Sequence, residues 1–203
     1  MIEAWMTAIC DCSLYPTGEH ALQAFSRTLV FDQSRNWYWQ DVYPGFDVGK
    51  GFSHWMLSYL SEWPHSDARN HEGEANFFVT GIRDSLFKRI VQEAMESIQT
   101  DEETWYLQTS LEGNEDALIF QDLAMMCTQE TSFSTTVKGY MGQGLQGIKA
   151  GDEILLVAGV SRPLIARRMG ERYRLIGQAY VHGVMYGEKW PVDESELVDI
   201  MFQ

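Results

Sequence analysis

Cysteine is scarce and odd in number: the chain has only Cys10, Cys12 and Cys127. Three thiols cannot all pair, and Cys10-x-Cys12 is too tight for a comfortable bridge, which excludes a secreted disulfide framework. No Asn-x-Ser/Thr acceptor occurs, and Met1-Ile2-Glu3-Ala4-Trp5 carries an acid where a signal peptide would carry bases. No apolar run approaches the ~18 residues of a membrane span. These absences point to a reducing, cytoplasmic setting with no membrane partner. Bases are also few. Fifteen Lys and Arg against 29 Asp and Glu leave a net charge of −14, which argues against a nucleic-acid surface built on many cationic contacts.

The chain does have enough apolar material for a core, 45% of 203 residues, with aromatics at 13% and seven Trp. That suits one ordinary domain or two small ones. Charge divides it. Residues 91–130 hold ten acids and no Lys or Arg, whereas residues 131–190 hold eight bases and four acids. We place a boundary near residue 130. Residues 1–130 then form a mainly helical region with an aromatic loop at 32–51 and the acidic segment 91–130. Residues 131–190 form a Gly-rich antiparallel β-module, and 191–203 an acidic tail.

The helical reading rests on spacing. Leu22, Phe25 and Leu29 make a buried stripe within residues 19–30. Phe52, Met56, Leu57 and Leu60 repeat the pattern, and Trp63-Pro64 ends it. Ile82, Leu86, Ile90, Ala94 and Ile98 mark a third helix, and the apolar run 118–127 reads as helix in preference to strand. Beyond residue 130 the period shortens. Residues 153–158, 162–168 and 173–181 are short β-type runs joined by Gly-containing links, as in an antiparallel meander, and 131–137 offers an earlier strand. Ile154, Leu156, Leu164, Leu175 and Val181 are the expected core of this module, and Leu197, Val198 and Met201 would dock the tail as a short helix. The fold class is α+β: a helical N-terminal part packed on a small antiparallel C-terminal sheet or partly closed barrel.

Motifs for chemistry are weak. Gly142-Gln143-Gly144-Leu145-Gln146-Gly147 matches G-x-G-x-x-G, but a turn and a strand follow it where a dinucleotide site needs a helix. The acid expected about 20 residues later is missing too. We read it as a bent Gly-rich connection, with tight turns at Gly142, Gly144, Gly151 and Gly170 and a bulge at Gly177. His65 and His71 share a loop but lack two further ligands for a tetrahedral metal site. The acids of 91–130 read more simply as a solvated face than as a paired-carboxylate site. The expectation is therefore no catalytic, cofactor or metal residue. The dense aromatics Trp37, Tyr38 and Trp39, and the cations Arg167, Arg168, Arg172 and Arg174 around Gly170, are candidates for a protein-interaction patch.

Over residues 139–188 the segments GYMGQG, GIKAGDEILLVAGVSRPLIARR and YRLIGQAYVHGVMYGE resemble the C-terminal region of fungal heterokaryon-incompatibility (HET) domain proteins. The matching positions are Gly139, Tyr140, Gly142, Gly144, Gly151, Asp152, Pro163, Arg167, Tyr173, Leu175, Gly177, Tyr180, Val181, His182, Gly183, Met185, Gly187 and Glu188. Upstream, Tyr15-Pro16-Thr17-Gly18-Glu19 and Ala24-Phe25-Ser26-Arg27-Thr28-Leu29 are similar to that family's lead-in and its A-F-x-R-T-L helix. The Y-x-A-L-S-Y-x-W-G stretch that opens the family's death-linked N-terminal domain does not occur. The resemblance implies a truncated, non-enzymatic interaction module acting in self/non-self recognition or its regulation, with a protein partner of unknown identity. The alternatives are an enzyme using the Gly142–Gly147 loop or the acidic segment, and a relic fragment without retained function.

Overall fold

The computed structural model describes residues 14–33, 41–62 and 115–203. Trp37, Tyr38 and Trp39, the helix expected at 78–98, His65, His71 and most of the acidic segment lie outside them. Among the described residues there are three helices, α1 (Ala21–Leu29), α2 (Val48–Glu62) and α3 (Glu115–Thr128), followed by five strands. The architecture is α+β, with the helices N-terminal and the sheet C-terminal. The chain divides into two compact units, residues 1–10 with 33–124, and residues 11–32 with 125–203.

In the first unit, Asp47 caps α2 by accepting the Lys50 N–H at 2.7 Å. Phe52 and Trp55 of α2 meet Phe120 of α3 at ring separations of 5.4 and 5.5 Å. Gly51 makes that approach possible: a Cβ there would stand 2.7 Å from the Asp116 carbonyl. Lys50 and Asp116 close the edge with an ion pair of 2.7 Å.

The second unit holds the sheet. Its strands are β1 (Thr131–Thr135), β2 (Met141–Leu145), β3 (Glu153–Leu155), β4 (Leu164–Met169) and β5 (Arg172–Val181). All pairings are antiparallel in the order β1-β2-β5-β4-β3, and among the described residues the sheet does not close into a barrel. β3, β4 and β5 are the expected meander, and β1 is the earlier strand. β2 is the addition. Gly142 and Gly144 sit inside this strand and not at turns, which corrects the reading of the Gly-rich segment as a connection. A Cβ on Gly142 would stand 2.7 Å from the Tyr180 carbonyl, and one on Gly144 2.6 Å from the Ile165 side chain. Glycine is there so that β5 and the core can lie close. Turns with positive φ do occur at Gly151 (93°) and Gly170 (72°).

The register breaks between Ile165 and Ala166, which face Gly177 and Leu175, so Ile176 is one residue extra on β5. Such a bulge shifts the two-residue alternation by one. Ile176 packs on the same core as Ala179 and Val181 despite the odd spacing, together with Ile165, Val184, Ile154 and Leu156. Leu175 is consequently on the other face and 52% exposed. This corrects its assignment to the core, which carries the two-residue alternation straight through the bulge expected at Gly177. The tail 191–203 forms a three-residue 3-10 turn, Glu194–Glu196, and no helix longer than that. It makes a parallel bridge through Phe202 to Tyr173, while Val198 and Met201 stay exposed.

Ile165→Ala should therefore cost ~2–5 kcal/mol, as for a truncated core side chain, whereas Leu175→Ala should stay within about 0.5 kcal/mol of wild type. Denaturant unfolding of the two variants checks the pair. Equal destabilisation by both would contradict the phase shift at the bulge.

Candidate functional site

The polar groups of the second unit concentrate where residues 14–32 meet the sheet. A loop closed by a Leu14–His20 bridge begins this arm, with Tyr15 N–H bonded to the Glu19 carbonyl at 3.0 Å and Gly18 at φ 88°. His20 then caps α1 by accepting the Leu22 N–H on Nδ1. Ala21, Ala24, Phe25 and Leu29 bury the helix, and Phe25 meets Phe133 of β1 edge-on at 5.5 Å.

Two polar links then fasten the arm. Gln143 of β2 is almost fully buried; its Nε2 donates to the Thr28 carbonyl at 2.5 Å, and its Oε1 accepts from the Thr131 hydroxyl at 2.7 Å. The second link is Tyr15. Its hydroxyl accepts the Met141 N–H at 2.8 Å and donates to the His182 carbonyl at 2.9 Å, joining β2 to the end of β5. Burial pushes the Tyr15 phenol well above its ordinary range, outweighing the hydrogen bond from Met141.

His182 completes the cluster. Its Nε2 lies 2.7 Å from Glu19 Oε1 and its Nδ1 2.8 Å from the Tyr180 hydroxyl, and the residue is 5% exposed. With Glu19 ionised, the bonding pattern assigns the proton to Nε2, so that Nδ1 accepts from Tyr180 and a neutral ring satisfies both neighbours. Glu19 also accepts from the Thr17 hydroxyl at 2.6 Å and pairs with Arg27 at 3.3 Å. Arg27 in turn approaches Asp32, which is buried, at 4.0 Å. Burial alone would raise the Glu19 carboxyl; the hydrogen bonds from Thr17 and His182, with the charge of Arg27, hold it below its ordinary value. Gly183, at φ 77°, lets Thr17 pack where a Cβ would clash.

The HET-like positions thus fall into distinct roles. Tyr140, Tyr180, His182 and Gly183 gather around Tyr15 and Glu19, with Tyr140 edge-on to Tyr15 at 5.9 Å. Gly139, at φ 83°, turns the chain from β1 into β2 against Pro16. Met185 Sδ accepts the Val181 N–H, and Glu188 accepts from the Tyr186 N–H at 2.7 Å. On the other side of β5, Asp152 receives Arg167 through two bonds of 2.7 and 2.9 Å and caps its own turn at the Lys149 N–H. That pairing with Arg167 holds the Asp152 carboxyl below its usual range. Pro163 is buried ahead of β4. Among the described residues no three His, Cys, Asp or Glu side chains are placed to hold a metal.

The four arginines of the candidate patch differ. Arg167 pairs with Asp152, and Arg168 with Glu153 at 2.8 Å, its guanidinium lying over the Tyr173 ring. Arg172 and Arg174 are exposed and make no ion pair among the described residues. Gln143, Tyr15, Glu19 and Arg27 were not singled out as site residues. Local sequence carries no signal that Glu19 and His182, 163 residues apart, share a hydrogen bond; the resemblance covers both segments without linking them.

Tyr15→Phe should cost ~1–3 kcal/mol by leaving the Met141 N–H and the His182 carbonyl without their partner. The depressed Glu19 carboxyl contributes stability that is complete above its unfolded value and lost as pH falls through the folded one. Glu19→Gln should lower stability at neutral pH and flatten the decline between roughly pH 5 and pH 3. An acid limb parallel to that of wild type would show that the ionised Glu19 is not linked to folding.

A family model described as the Het-6 beta-barrel domain matches residues 68–197, well over half of the chain. The match takes in β1 to β5 and begins after the arm that carries Tyr15 and Glu19. Comparison with curated proteins and with solved structures gave no match.

Proposed function

Because the chain belongs to the Het-6 β-barrel domain family, a relative of heterokaryon-incompatibility proteins, we propose that it is a non-enzymatic protein-interaction module serving self/non-self recognition or its regulation. One observation carries this reading. In the titratable cluster at the arm, among the described residues, both ring nitrogens of His182 are held by protein neighbours, Glu19 and Tyr180. A general base must reach a substrate proton, and the hydroxyl that faces this imidazole is that of Tyr180, itself only 8% exposed while the arm is in place. Glu19 and Tyr15 likewise hold the arm against the sheet. The groups left to meet a partner are side chains such as Leu175, Arg172 and Arg174 on β5. Among the described residues no helix is long and apolar enough to cross a membrane.

The test addresses His182. Purified full-length chain and His182→Asn are compared on ester, phosphoester and NAD substrates, with circular dichroism to establish that the variant is folded. No turnover that depends on His182 is expected. Turnover present in wild type and absent from the folded variant would assign an enzyme and overturn the reading.

A further inference from the structure

β5 has an unfinished outer edge. β2 covers this edge only at Ala179–Val181. At the other end, the C-terminal tail covers it only at Tyr173, whose N–H donates to the Met201 carbonyl at 2.7 Å and whose carbonyl accepts the Gln203 N–H at 2.9 Å. In an antiparallel ladder, alternate residues turn their N–H and C=O to the same side. Leu175 therefore turns its backbone groups outward as Tyr173 does, and no strand among the described residues covers them. Its side chain is 52% exposed.

The charges beside this gap are mixed, with Glu153 on the Tyr173 hydroxyl and Glu171 exposed at the turn, but two bases stand unpaired among the described residues. These are Arg172 and Arg174, which flank Tyr173 and are exposed. The chain's own tail, residues 193–203, is acidic and apolar, and its Met201, Phe202 and Gln203 lie beside Tyr173, short of the gap. It is held lightly, by two backbone bonds and the Phe202 ring 6.5 Å from that of Tyr173, and Val198 is 80% exposed.

We propose that the outer edge of β5 from Tyr173 to Leu175 is a strand-addition site for an extended, acidic peptide segment of a partner protein, and that the chain's own tail is its displaceable occupant. The partner strand takes the two bonds at Tyr173 and adds those of Leu175, places an apolar side chain against Leu175, and sets its acids beside Arg172 and Arg174. Main-chain bonding supplies affinity in such docking, and the side chains supply selectivity. The proposal rests on the interaction-module reading and adds where the partner binds and what kind of partner it is.

The probe is a short synthetic peptide of alternating Glu and Val, with a control in which its acids are replaced by Lys. It is titrated by calorimetry into the full chain, into Phe202→Asp, which frees the edge, and into Phe202→Asp carrying Arg172→Glu and Arg174→Glu. The acidic peptide should bind Phe202→Asp about tenfold more tightly than wild type, and the charge reversal should remove about tenfold of that affinity. The Leu175 amide of the wild-type chain should exchange more slowly at saturating peptide, a readout independent of any variant. Equal binding of the acidic and Lys peptides, no binding to Phe202→Asp, or no added protection at Leu175 would overturn the proposal. So would exchange of tails between two copies, seen as a dimer that the peptide dissociates, because it would assign the edge to a second copy. None of these outcomes bears on whether His182 supports turnover.

Discussion

The Tyr15 hydroxyl occupies a position that the sheet cannot fill with its own backbone. β2 and β5 pair over only three residues, and at the end of that short ladder the Met141 N–H and the His182 carbonyl are bridged by a side chain from residue 15. A buried backbone group without a partner costs ~1–3 kcal/mol, a sizeable part of the ~5–15 kcal/mol that holds an ordinary domain folded. The arm at residues 14–32 is therefore part of the sheet's hydrogen bonding as well as a cover for its face. Glu19, His182 and Tyr180 follow from this: once the arm lies here, its carboxylate is removed from water and needs donors, which His182, Thr17 and Arg27 provide.

Magnitudes separate this cluster from the other charged pairs. Arg168 and Glu153 lie on the exposed side of β4 and β3, where such pairs contribute little. Arg167 and Asp152 are better placed, since Asp152 is buried and also caps its own turn. Their effect is to hold the turn after Gly151 in register with β4. The Tyr15–His182–Glu19 cluster instead joins segments from opposite ends of the chain. Its groups are satisfied by one another, which explains how a constellation with the composition of a proton relay serves cohesion.

Much of this fold was legible in the sequence. The three-and-four spacing of Leu22, Phe25 and Leu29 located α1, and the runs around Leu156, Leu164 and Tyr173 located the meander, because burial on one face imposes its period on the residues. The strand β2 was hidden since Gly142 and Gly144 have no side chain to show a period, and their chemistry reads as turn chemistry when they in fact admit close neighbours. Gly177 marks a bulge in the sequence, but no pattern of apolar residues shows that Leu175 changes face across it. The cluster at His182 was the least legible. A histidine before a glycine at a strand end has no local sign of a carboxylate 163 positions earlier, and the family resemblance covers both segments without connecting them.

The central claim is that the arm and the sheet unfold as one. Native-state hydrogen exchange of the full chain under increasing denaturant measures this directly, through the amides of Ala24, Phe25 and Thr28 in α1 and those of β2 and β5. Cooperative units share one opening free energy and one denaturant dependence. The account predicts that the α1 amides and the sheet amides merge into a single isotherm. Exchange of the α1 amides through a separate, smaller opening, with Met141 and its neighbours in the sheet still protected, would contradict it.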